Sequence, residues 1–495
     1  MVSDLLKVMA MEKKKEQKEN KPDNHINDEI STTHHVVTIN GKPIRYKAST
    51  GYMQMQDETG KLKTRIFFIS YEKENVEDKG KRPITFAFNG GPGASSAWVH
   101  FGAMGPKRVN STDQGESFPP PYSFVDNELS WLDFTDLVFI DPVGTGYSRP
   151  EKDEDPKQFY GVEEDFKWGG DFIRLYITRN NRWLSPKYLA GESYGTFRAV
   201  GLVKHLQNHY AMDLNGIVFI SSALNYQTFD FSHGNDLPYL LFLPAYTAAA
   251  WYHKKLAPEL LGDLEKTLQE VEDFVANEYS VALFKGDELD EKTKEEILNK
   301  LSYYTGLSRE YIDDNDLRVP RHRFMRQLLR KDKLVLGMYD SRFTCADMDP
   351  AGDNPKIEAS KFMLFGSYIA CLNEYLRKEL KYKNDLAYLP ISRQVSSQWN
   401  WSSGLPGGMG YASVTETLLE SITYNKYLKV FFACGYYDLC TPYSIARYLS
   451  KHTGLHGSLR QNIILKNYEA GHMMYVNKPS RLQLFNDMKE FMSVE

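Results

Sequence analysis

The chain has 495 residues, of which 42% are hydrophobic and 25% are charged, with 34 glycines and 22 prolines. This is the composition of an ordinary globular protein, and it excludes a wholly disordered, collagen-like or coiled-coil chain. The 60 basic and 65 acidic side chains leave a net charge of -5. We therefore expect no general electrostatic attraction to nucleic acid and no nucleic-acid partner.

The first 33 residues are predicted to be a disordered polar tail. Their short apolar run is interrupted by Asp4 and Lys7 and then becomes strongly charged, which is the reverse of the order in a signal peptide. We therefore expect a cytoplasmic protein. The longest apolar stretch, residues 237–252, is shorter than a membrane span and contains two prolines. It predicts a buried helix, and no membrane partner is expected.

Short apolar runs predict the strands of a sheet. Several are apolar on both faces, as strands of a parallel sheet are. The predicted strands cover residues 65–71, 84–88, 137–140, 187–190, 216–221, 428–434 and 462–468. Helical apolar patterns follow Ser193 and Pro479. The alternation predicts an α/β fold with a mostly parallel central sheet and helices on both faces.

The alternation breaks between the fifth and sixth predicted strands, where about 200 residues have helical patterns instead. A connection of this length with its own structure is an inserted domain, and at this position it would cover the usual ligand crevice. We therefore predict a largely helical cap at 226–405, inserted between the two parts of the core at 34–225 and 406–495.

The segment Gly191–Gly195 has the pattern GxSxG, with a predicted strand before it and an amphipathic helix after it. This is the setting of a nucleophile elbow, in which a tight turn raises the serine hydroxyl out of the sheet. Ser193 is the candidate nucleophile. The alternative reading is an unremarkable corner between a strand and a helix.

A serine nucleophile needs a base, and the base needs an orienting carboxylate. Asp438 and His472 each follow one of the last two predicted strands. A histidine is more often a packed or surface residue, but His472 alone follows the last predicted strand. The chain order Ser193, Asp438, His472 is that of an α/β-hydrolase with a catalytic triad.

A glycine-rich loop, residues 89–93, follows the strand at 84–88 and offers unobstructed backbone amides to a tetrahedral oxyanion. A phosphate-binding role is the alternative, but the GxxxxGK[ST] pattern is missing. The four cysteines are spaced too irregularly for a disulfide framework or a zinc site. We therefore expect reduced thiols, no metal and no cofactor.

These segments resemble the serine carboxypeptidases, peptidase family S10. NGGPGASS is similar to the family's glycine-rich loop, LVFIDPVGTGYS to its PVGTG segment and GESYGT to its nucleophile motif. GYYDLCTP and EAGHMMY are similar to its late Asp and His motifs, and all five occur in the family's order. The cap is similar only in position and helical character.

The resemblance implies removal of C-terminal amino acids from peptide substrates through an acyl-serine intermediate. Ser193, His472 and Asp438 would form the triad, and the amides of Gly91 and Tyr194 would form the oxyanion hole. The substrate's terminal carboxylate would be bound by the two residues at the family's recognition positions, Asn89 and Glu192. A solvated or salt-bridged Glu192 is the alternative reading.

Departures from the family pattern affect specificity more than the hydrolytic chemistry. Ala103 stands where the family commonly has a second Glu, so one acidic partner of the carboxylate network is missing. Ala94 replaces the usual disulfide cysteine, as in a bacterial-type member in a reducing compartment. Tyr436 replaces an Asp, and Tyr475 replaces a Pro after His472.

Two other functions remain open, as does the oligomeric state. Some members of the family transfer acyl groups, so an acyltransferase or esterase could use the same triad. A noncatalytic binding module with the same fold is the other possibility.

Overall fold

The computed structural model describes residues 29–405 and 409–493. Most of the predicted polar tail, residues 1–28, lies outside the described residues. Residues 30–33, which the prediction assigned to that tail, instead begin the first strand because they pair antiparallel with residues 48–51. In the described part of the chain, no helix combines the length and the apolar character needed to cross a membrane.

The strands are numbered in chain order. They are β1 (Ile30–Ile39), β2 (Lys42–Gln56), β3 (Leu62–Lys73), β4 (Ile84–Phe88), β5 (Lys107–Val109), β6 (Phe124–Asp126), β7 (Asp136–Ile140), β8 (Arg149–Pro150), β9 (Lys187–Ser193), β10 (Gly216–Ser222), β11 (Leu334–Leu336), β12 (Thr344–Ala346), β13 (Lys429–Gly435) and β14 (Ile463–Tyr468).

Within the described residues, ten strands form one sheet in the order β1-β2-β3-β7-β4-β9-β10-β13-β14, with β8 beside β3. The six strands from β7 to β14 in this order run parallel. Strands β1 to β3 add an antiparallel edge. All seven predicted strands lie in this sheet, so the predicted mostly parallel sheet is confirmed, whereas β1, β2 and the two-residue β8 were not predicted.

The α-helices of the described residues are also numbered in chain order. They are α1 (Val162–Arg179), α2 (Tyr194–Tyr210), α3 (Leu237–Tyr252), α4 (Leu264–Phe274), α5 (Ser280–Lys285), α6 (Glu291–Thr305), α7 (Arg309–Asp313), α8 (Arg321–Gln327), α9 (Ala359–Lys378), α10 (Arg393–Gln398), α11 (Thr415–Tyr424), α12 (Tyr443–Lys451) and α13 (Lys478–Phe491).

Helices cover both faces of the sheet. Successive side chains of a strand point to opposite sides and therefore belong to different cores. On β4, Phe86 belongs to a core with α1 and α2, whereas Ala87 belongs to a core with α9 and α13. Every residue of β4 is buried. An apolar run with no polar alternation is therefore the expected sequence for this strand.

Between β10 and β13 the described residues form helices α3 to α11 and the small β11–β12 ladder. Helix α3 has the bounds of the predicted buried helix at 237–252, with Pro244 in its interior. Helix α9 packs on the other sheet face through residues such as Leu372 and Tyr375. The insertion therefore reaches both faces, and its boundaries at 226 and 405 stay a prediction.

Candidate active site

Ser193 lies at the junction of β9 and α2. It is the last residue of the strand, and Tyr194 is the first residue of the helix. The Ser193 backbone has φ 59° and ψ −129°, a conformation that non-glycine residues rarely adopt and that occurs at functional turns. The side chain is half-buried, unlike the fully buried strand that precedes it. This is the tight turn predicted from the GxSxG pattern.

Strand β10 connects the serine turn to the loop that carries His472, because it pairs with β9 and also forms a hydrogen bond with that loop. Ser222 of β10 pairs in register with Ser193, and the neighbouring Ser221 hydroxyl donates to the His472 carbonyl at 2.7 Å. Asp438 follows β13 in the same way that His472 follows β14. The three predicted triad residues are thus placed at the carboxyl ends of parallel strands, which is where ligands bind in such sheets.

Asp438 and His472 form a hydrogen-bonded pair, with His472 Nδ1 2.8 Å from Asp438 Oδ2. The other Asp438 oxygen accepts from the amides of Cys440 and Thr441 at 2.7 and 2.9 Å. The Thr441 hydroxyl donates to Oδ2 at 2.7 Å and its oxygen lies 3.0 Å from His472 Nδ1. Asp438 is fully buried, and these donors hold its carboxylate in one orientation.

The electrostatic environment suits His472 as a base. Burial lowers its pKa, but the charge of Asp438 and their hydrogen bond, together with Glu192 and Glu358, more than offset this, and the pKa is raised above its usual value. A proton received at Nε2 is stabilised by a carboxylate that accepts from Nδ1. The pair can therefore accept and return a proton during acyl transfer.

The glycine-rich loop lies directly against the serine turn. A Cβ added to Gly90 would be 2.4 Å from the Tyr194 nitrogen and 2.6 Å from the Gly195 nitrogen, so this approach requires glycine. Gly91 is exposed beside it with φ 106°. The first amides of a helix have no intrahelical acceptor, and Tyr194 supplies one of them at this site.

Asn89 and Glu192, the predicted carboxylate-binding residues, contact each other. Asn89 Nδ2 donates to Glu192 Oε1 at 2.9 Å, and the hydroxyl of Tyr475 donates to Oε2. Asn89 Oδ1 accepts from the Val99 amide at 3.1 Å. Burial raises the pKa of Glu192 to about 7, although the charge of His472 and the hydrogen bonds from Tyr475 and Asn89 act in the opposite direction. Because the Glu192 side chain is buried, the alternative reading of a solvated residue is wrong.

A segment of the insertion supports the base. The His472 amide donates to the Tyr339 carbonyl at 2.6 Å, and the Gly471 amide donates to Asp340 Oδ2 at 3.1 Å. A Cβ at Gly471 would lie 2.4 Å from the Tyr339 oxygen, so only glycine allows this approach. Asp340 also pairs with Arg342 at 2.6 Å. We name residues 337–342 the support loop.

Asp141, which directly precedes the PVGTG segment, contacts the NGGPGASS motif. Asp141 Oδ1 accepts from the Ser96 amide at 2.8 Å, which ties the segment to the end of the glycine-rich loop. Burial raises the pKa of Asp141 to about 7.

Sequence reasoning missed the support loop, the Thr441 hydroxyl and the contact between Tyr475 and Glu192. Tyr475 was noted only as a departure from the family, and its distance of 283 residues from Glu192 leaves no local signal. Thr441 follows Asp438 by three residues, a spacing at which side chains commonly form hydrogen bonds with nearby residues of the chain. Nothing in the sequence around Asp340 indicated its role.

Within residues 29–405 and 409–493, no group of three or more His, Cys, Asp or Glu is arranged to hold a metal ion. The expectation of a protein without metal or cofactor stays a prediction.

A family model described as serine carboxypeptidase matches residues 39–486. Serine carboxypeptidase-like 36 of Arabidopsis thaliana is 28% identical over 209 residues, which are 39% of this chain and 40% of that relative. Pheromone-processing carboxypeptidase KEX1 of Coprinopsis cinerea is 33% identical over 132 residues, which are 26% of this chain and 20% of that relative. The chain thus spans less than half the length of these curated relatives.

Among solved structures, KEX1(delta)p, a prohormone-processing carboxypeptidase from Saccharomyces cerevisiae, has a TM-score of 0.55 and 18% identity. The alignment covers 89% of this chain and 91% of that chain. This likeness is one of fold, and with the parallel sheet and its helices on both faces it confirms the predicted α/β-hydrolase fold.

Proposed function

Since the chain belongs to the serine carboxypeptidase family, we propose that it releases single amino acids from the C-terminal ends of peptides through an acyl-serine intermediate. One observation carries the proposal. The His472–Asp438 pair and the strained Ser193 turn lie beside a buried amide and carboxyl, Asn89 and Glu192. The first pair suits acyl transfer, and the second suits recognition of a terminal carboxylate.

In the proposed mechanism Ser193 attacks the last peptide carbonyl while His472 takes the hydroxyl proton. Asp438 keeps the imidazole in the tautomer that presents Nε2 to the serine and stabilises the imidazolium. The amides of Gly91 and Tyr194 donate to the oxyanion of the tetrahedral intermediate. His472 then protonates the leaving amine, and water hydrolyses the acyl-serine by the same steps in reverse.

Recognition of the terminal carboxylate depends on the protonation of Glu192. Two carboxylates repel each other strongly in a buried site, so one of the pair must carry a proton. A pKa of about 7 allows Glu192 to remain protonated in mildly acidic and near-neutral solution. Asn89 adds a neutral amide donor. Together, the protonated Glu192 carboxyl and the Asn89 amide would select a free C-terminus over an internal peptide bond.

The test is mass spectrometry of a peptide incubated with the purified protein. We expect a ladder of products, each shorter by one C-terminal residue, and no ladder with Ser193→Ala. Internal cleavage would refute the carboxypeptidase proposal. A peptide that stays intact, while an ester substrate is hydrolysed or its acyl group is transferred to an added alcohol, would also refute it and would favour the esterase or acyltransferase alternative.

We also propose that the protein works in a reducing, cytoplasmic compartment. The support is that Cys345, Cys371, Cys434 and Cys440 are all free thiols and that Ala94 replaces the family's disulfide cysteine. Activity should survive dithiothreitol without loss. Inactivation that is reversed by reoxidation would contradict this location.

A further inference from the structure

Tyr475 is the third member of a buried cluster with Glu192 and Asn89. It lies in the short turn Met474–Val476 that follows the catalytic base. Its hydroxyl donates to Glu192 Oε2 while Asn89 donates to Oε1, so each carboxyl oxygen has one donor. All three side chains are buried. A buried carboxyl held on both oxygens has little freedom to turn.

The ring of Tyr475 also packs on the turn that carries Ala103. A Cβ added to Gly102, in the π-helical turn Val99–Met104, would lie 2.6 Å from Tyr475 Cε2. Asn89 is anchored to the same turn through the Val99 amide. The phenol thus lies in contact with the turn that also anchors Asn89, and Ala103 of that turn contributes only a methyl group.

We propose that Tyr475 is the specificity-determining partner of Glu192: its hydroxyl holds the carboxyl beside Asn89 so that the pair binds the free α-carboxylate of a peptide, with a phenol in place of a second acid. This inference rests on the proposed carboxypeptidase function. Tyr475 acts through Glu192 and is a positioning residue.

A phenol and a second carboxyl differ in charge. Burial raises the pKa of Tyr475 well above its usual value, so its hydroxyl stays neutral wherever the enzyme works. The cluster therefore carries at most one negative charge, and uptake of one proton is enough to admit a carboxylate. A cluster with two carboxyl groups would need a second proton to become neutral, and it would take up that proton only at lower pH.

The phenol also favours the ionised form of Glu192, since it donates to that form. Removing it should raise the Glu192 pKa. The other titratable groups that interact with Glu192 come from the two catalytic loops, the support loop and α9. They are His472, Asp438, Tyr339 and Tyr368. Tyr475→Phe leaves all of them in place, so a shift of the pH profile reports on the phenol.

The matched control is Tyr468→Phe. The Tyr468 hydroxyl donates to Asp487 Oδ2 at 2.7 Å, so this variant also deletes a phenol that donates to a carboxylate. Asp487 lies on α13 and takes no part in the proposed mechanism. A general loss of stability would affect both variants alike.

The experiment compares kcat/KM for one peptide with a free C-terminus and for its C-terminal amide, from about pH 5 to about pH 8. For Tyr475→Phe we expect the preference for the free acid to fall roughly 10-fold, as when one partner of a buried hydrogen bond is removed. The alkaline decline of that preference should move to higher pH. Tyr468→Phe should resemble the parent in both respects.

A second measurement is independent of turnover. Calorimetry of the free-acid peptide binding to Ser193→Ala, in buffers of different ionisation enthalpy, counts the protons taken up. We expect uptake of about one proton at about pH 8 and little at about pH 5. In the Ser193→Ala/Tyr475→Phe double variant, uptake at about pH 8 should be smaller, because more of Glu192 is already protonated.

The outcomes separate the two proposals. A parent that prefers the free acid, with an unchanged preference and pH profile in Tyr475→Phe, would overturn the role of Tyr475 alone. Equal losses on both peptides in Tyr475→Phe would assign the residue a structural role and would also overturn it. A parent that ignores the terminal carboxylate at every pH would overturn both this inference and the carboxypeptidase mechanism.

Discussion

Ser193 and Ser222 are register partners on adjacent strands, but their environments differ. Ser222 is buried, and its hydroxyl has no hydrogen-bond partner. Ser193 is half-buried and has the positive φ that directs its side chain away from the sheet. We therefore expect the backbone conformation to decide which of the two serine hydroxyls is reactive. Ser222 is then an internal control for Ser193.

We expect Ser193→Ala to lower kcat by on the order of 10⁴-fold or more, because it deletes the nucleophile, and His472→Ala to act similarly. Ser222→Ala is the control and should retain near-parental turnover. Steady-state kinetics on a peptide, with circular dichroism to verify folding, measure this. Substantial activity in both the Ser193 and the His472 variants would remove the triad assignment.

The pKa values of His472 and Glu192 predict the pH dependence for free-acid peptides. His472 must be neutral to act as a base, and its raised pKa moves the acidic decline to higher pH than an ordinary histidine gives. Glu192 must be protonated, so kcat/KM should also decline above about pH 7. The profile should be bell-shaped.

The alkaline decline should disappear in two comparisons. A C-terminally amidated peptide carries no charge to repel Glu192, and Glu192→Gln has no proton to lose. Measurement of kcat/KM against pH with both peptides tests this. Identical profiles for the acid and the amide would show that Glu192 does not bind the terminal carboxylate.

At the scale of elements, the strands that could be predicted are those whose sequence reflects complete burial. Strand β4 has the predicted bounds because it is apolar throughout and covered on both faces. Strands β1 and β2 were missed because their outer positions are polar. Asn40 and Gly41, with φ of 47° and 75°, join them, and Asn-Gly between alternating residues is the signal that would have found this hairpin.

The candidate active site also contains parts that could be predicted from the sequence and parts that could not. The positions of the candidate triad residues at strand ends were predictable because each follows a strand in a local motif. The support loop was not, because its contacts with Gly471 and His472 join segments more than 100 residues apart. The backbone contact from Tyr339 leaves no trace in residue identity beyond the glycine at the closest approach, and the Asp340 carboxylate stands in no local motif.

Asp340 should affect catalysis through the loop that carries the base. In Asp340→Asn the amide nitrogen would oppose the donors of Gly471 and Arg342, and His472 would lose its fixed position. We expect kcat to fall by up to about 10²-fold, as for a displacement of about 1 Å, with a smaller change in KM.

The control for Asp340→Asn is Asp236→Asn, which weakens an Asp–Arg pair made entirely within the insertion, with Arg318 at 2.7 Å. Kinetics and thermal melting of both variants separate catalysis from folding. Equal effects of the two variants on kcat would show that Asp340 serves only the stability of the insertion.

At the scale of the whole molecule, folding buries two carboxyl groups at the ends of the sheet strands, Glu192 and Asp141, and burial disfavours their ionised forms. Burial raises the pKa of both Glu192 and Asp141 to about 7. A carboxyl whose pKa is raised on folding favours the folded state while it is protonated. Its contribution is fully present below its unfolded pKa and is lost as the pH rises through the folded value.

For Glu192, whose ordinary pKa is 4.5, the loss amounts to about 3 kcal/mol of unfolding free energy between about pH 4.5 and pH 7. Glu192→Gln should therefore lose less stability than the parent when the pH is raised over this range. Urea unfolding at several pH values measures the difference, with the exposed Glu416→Gln as the control. Parallel stability curves for the parent and Glu192→Gln would contradict the raised pKa.

The support loop also bears on how the proposed substrate range can be altered. The insertion contributes acceptors to the backbone of the base, so it is not an interchangeable module placed over a finished catalytic core. A chimera that receives a foreign insertion would leave the amides of Gly471 and His472 without acceptors, unless the graft retains residues 337–342. Changes of substrate range are therefore easier to obtain by substitutions elsewhere in the insertion than by exchanging it whole.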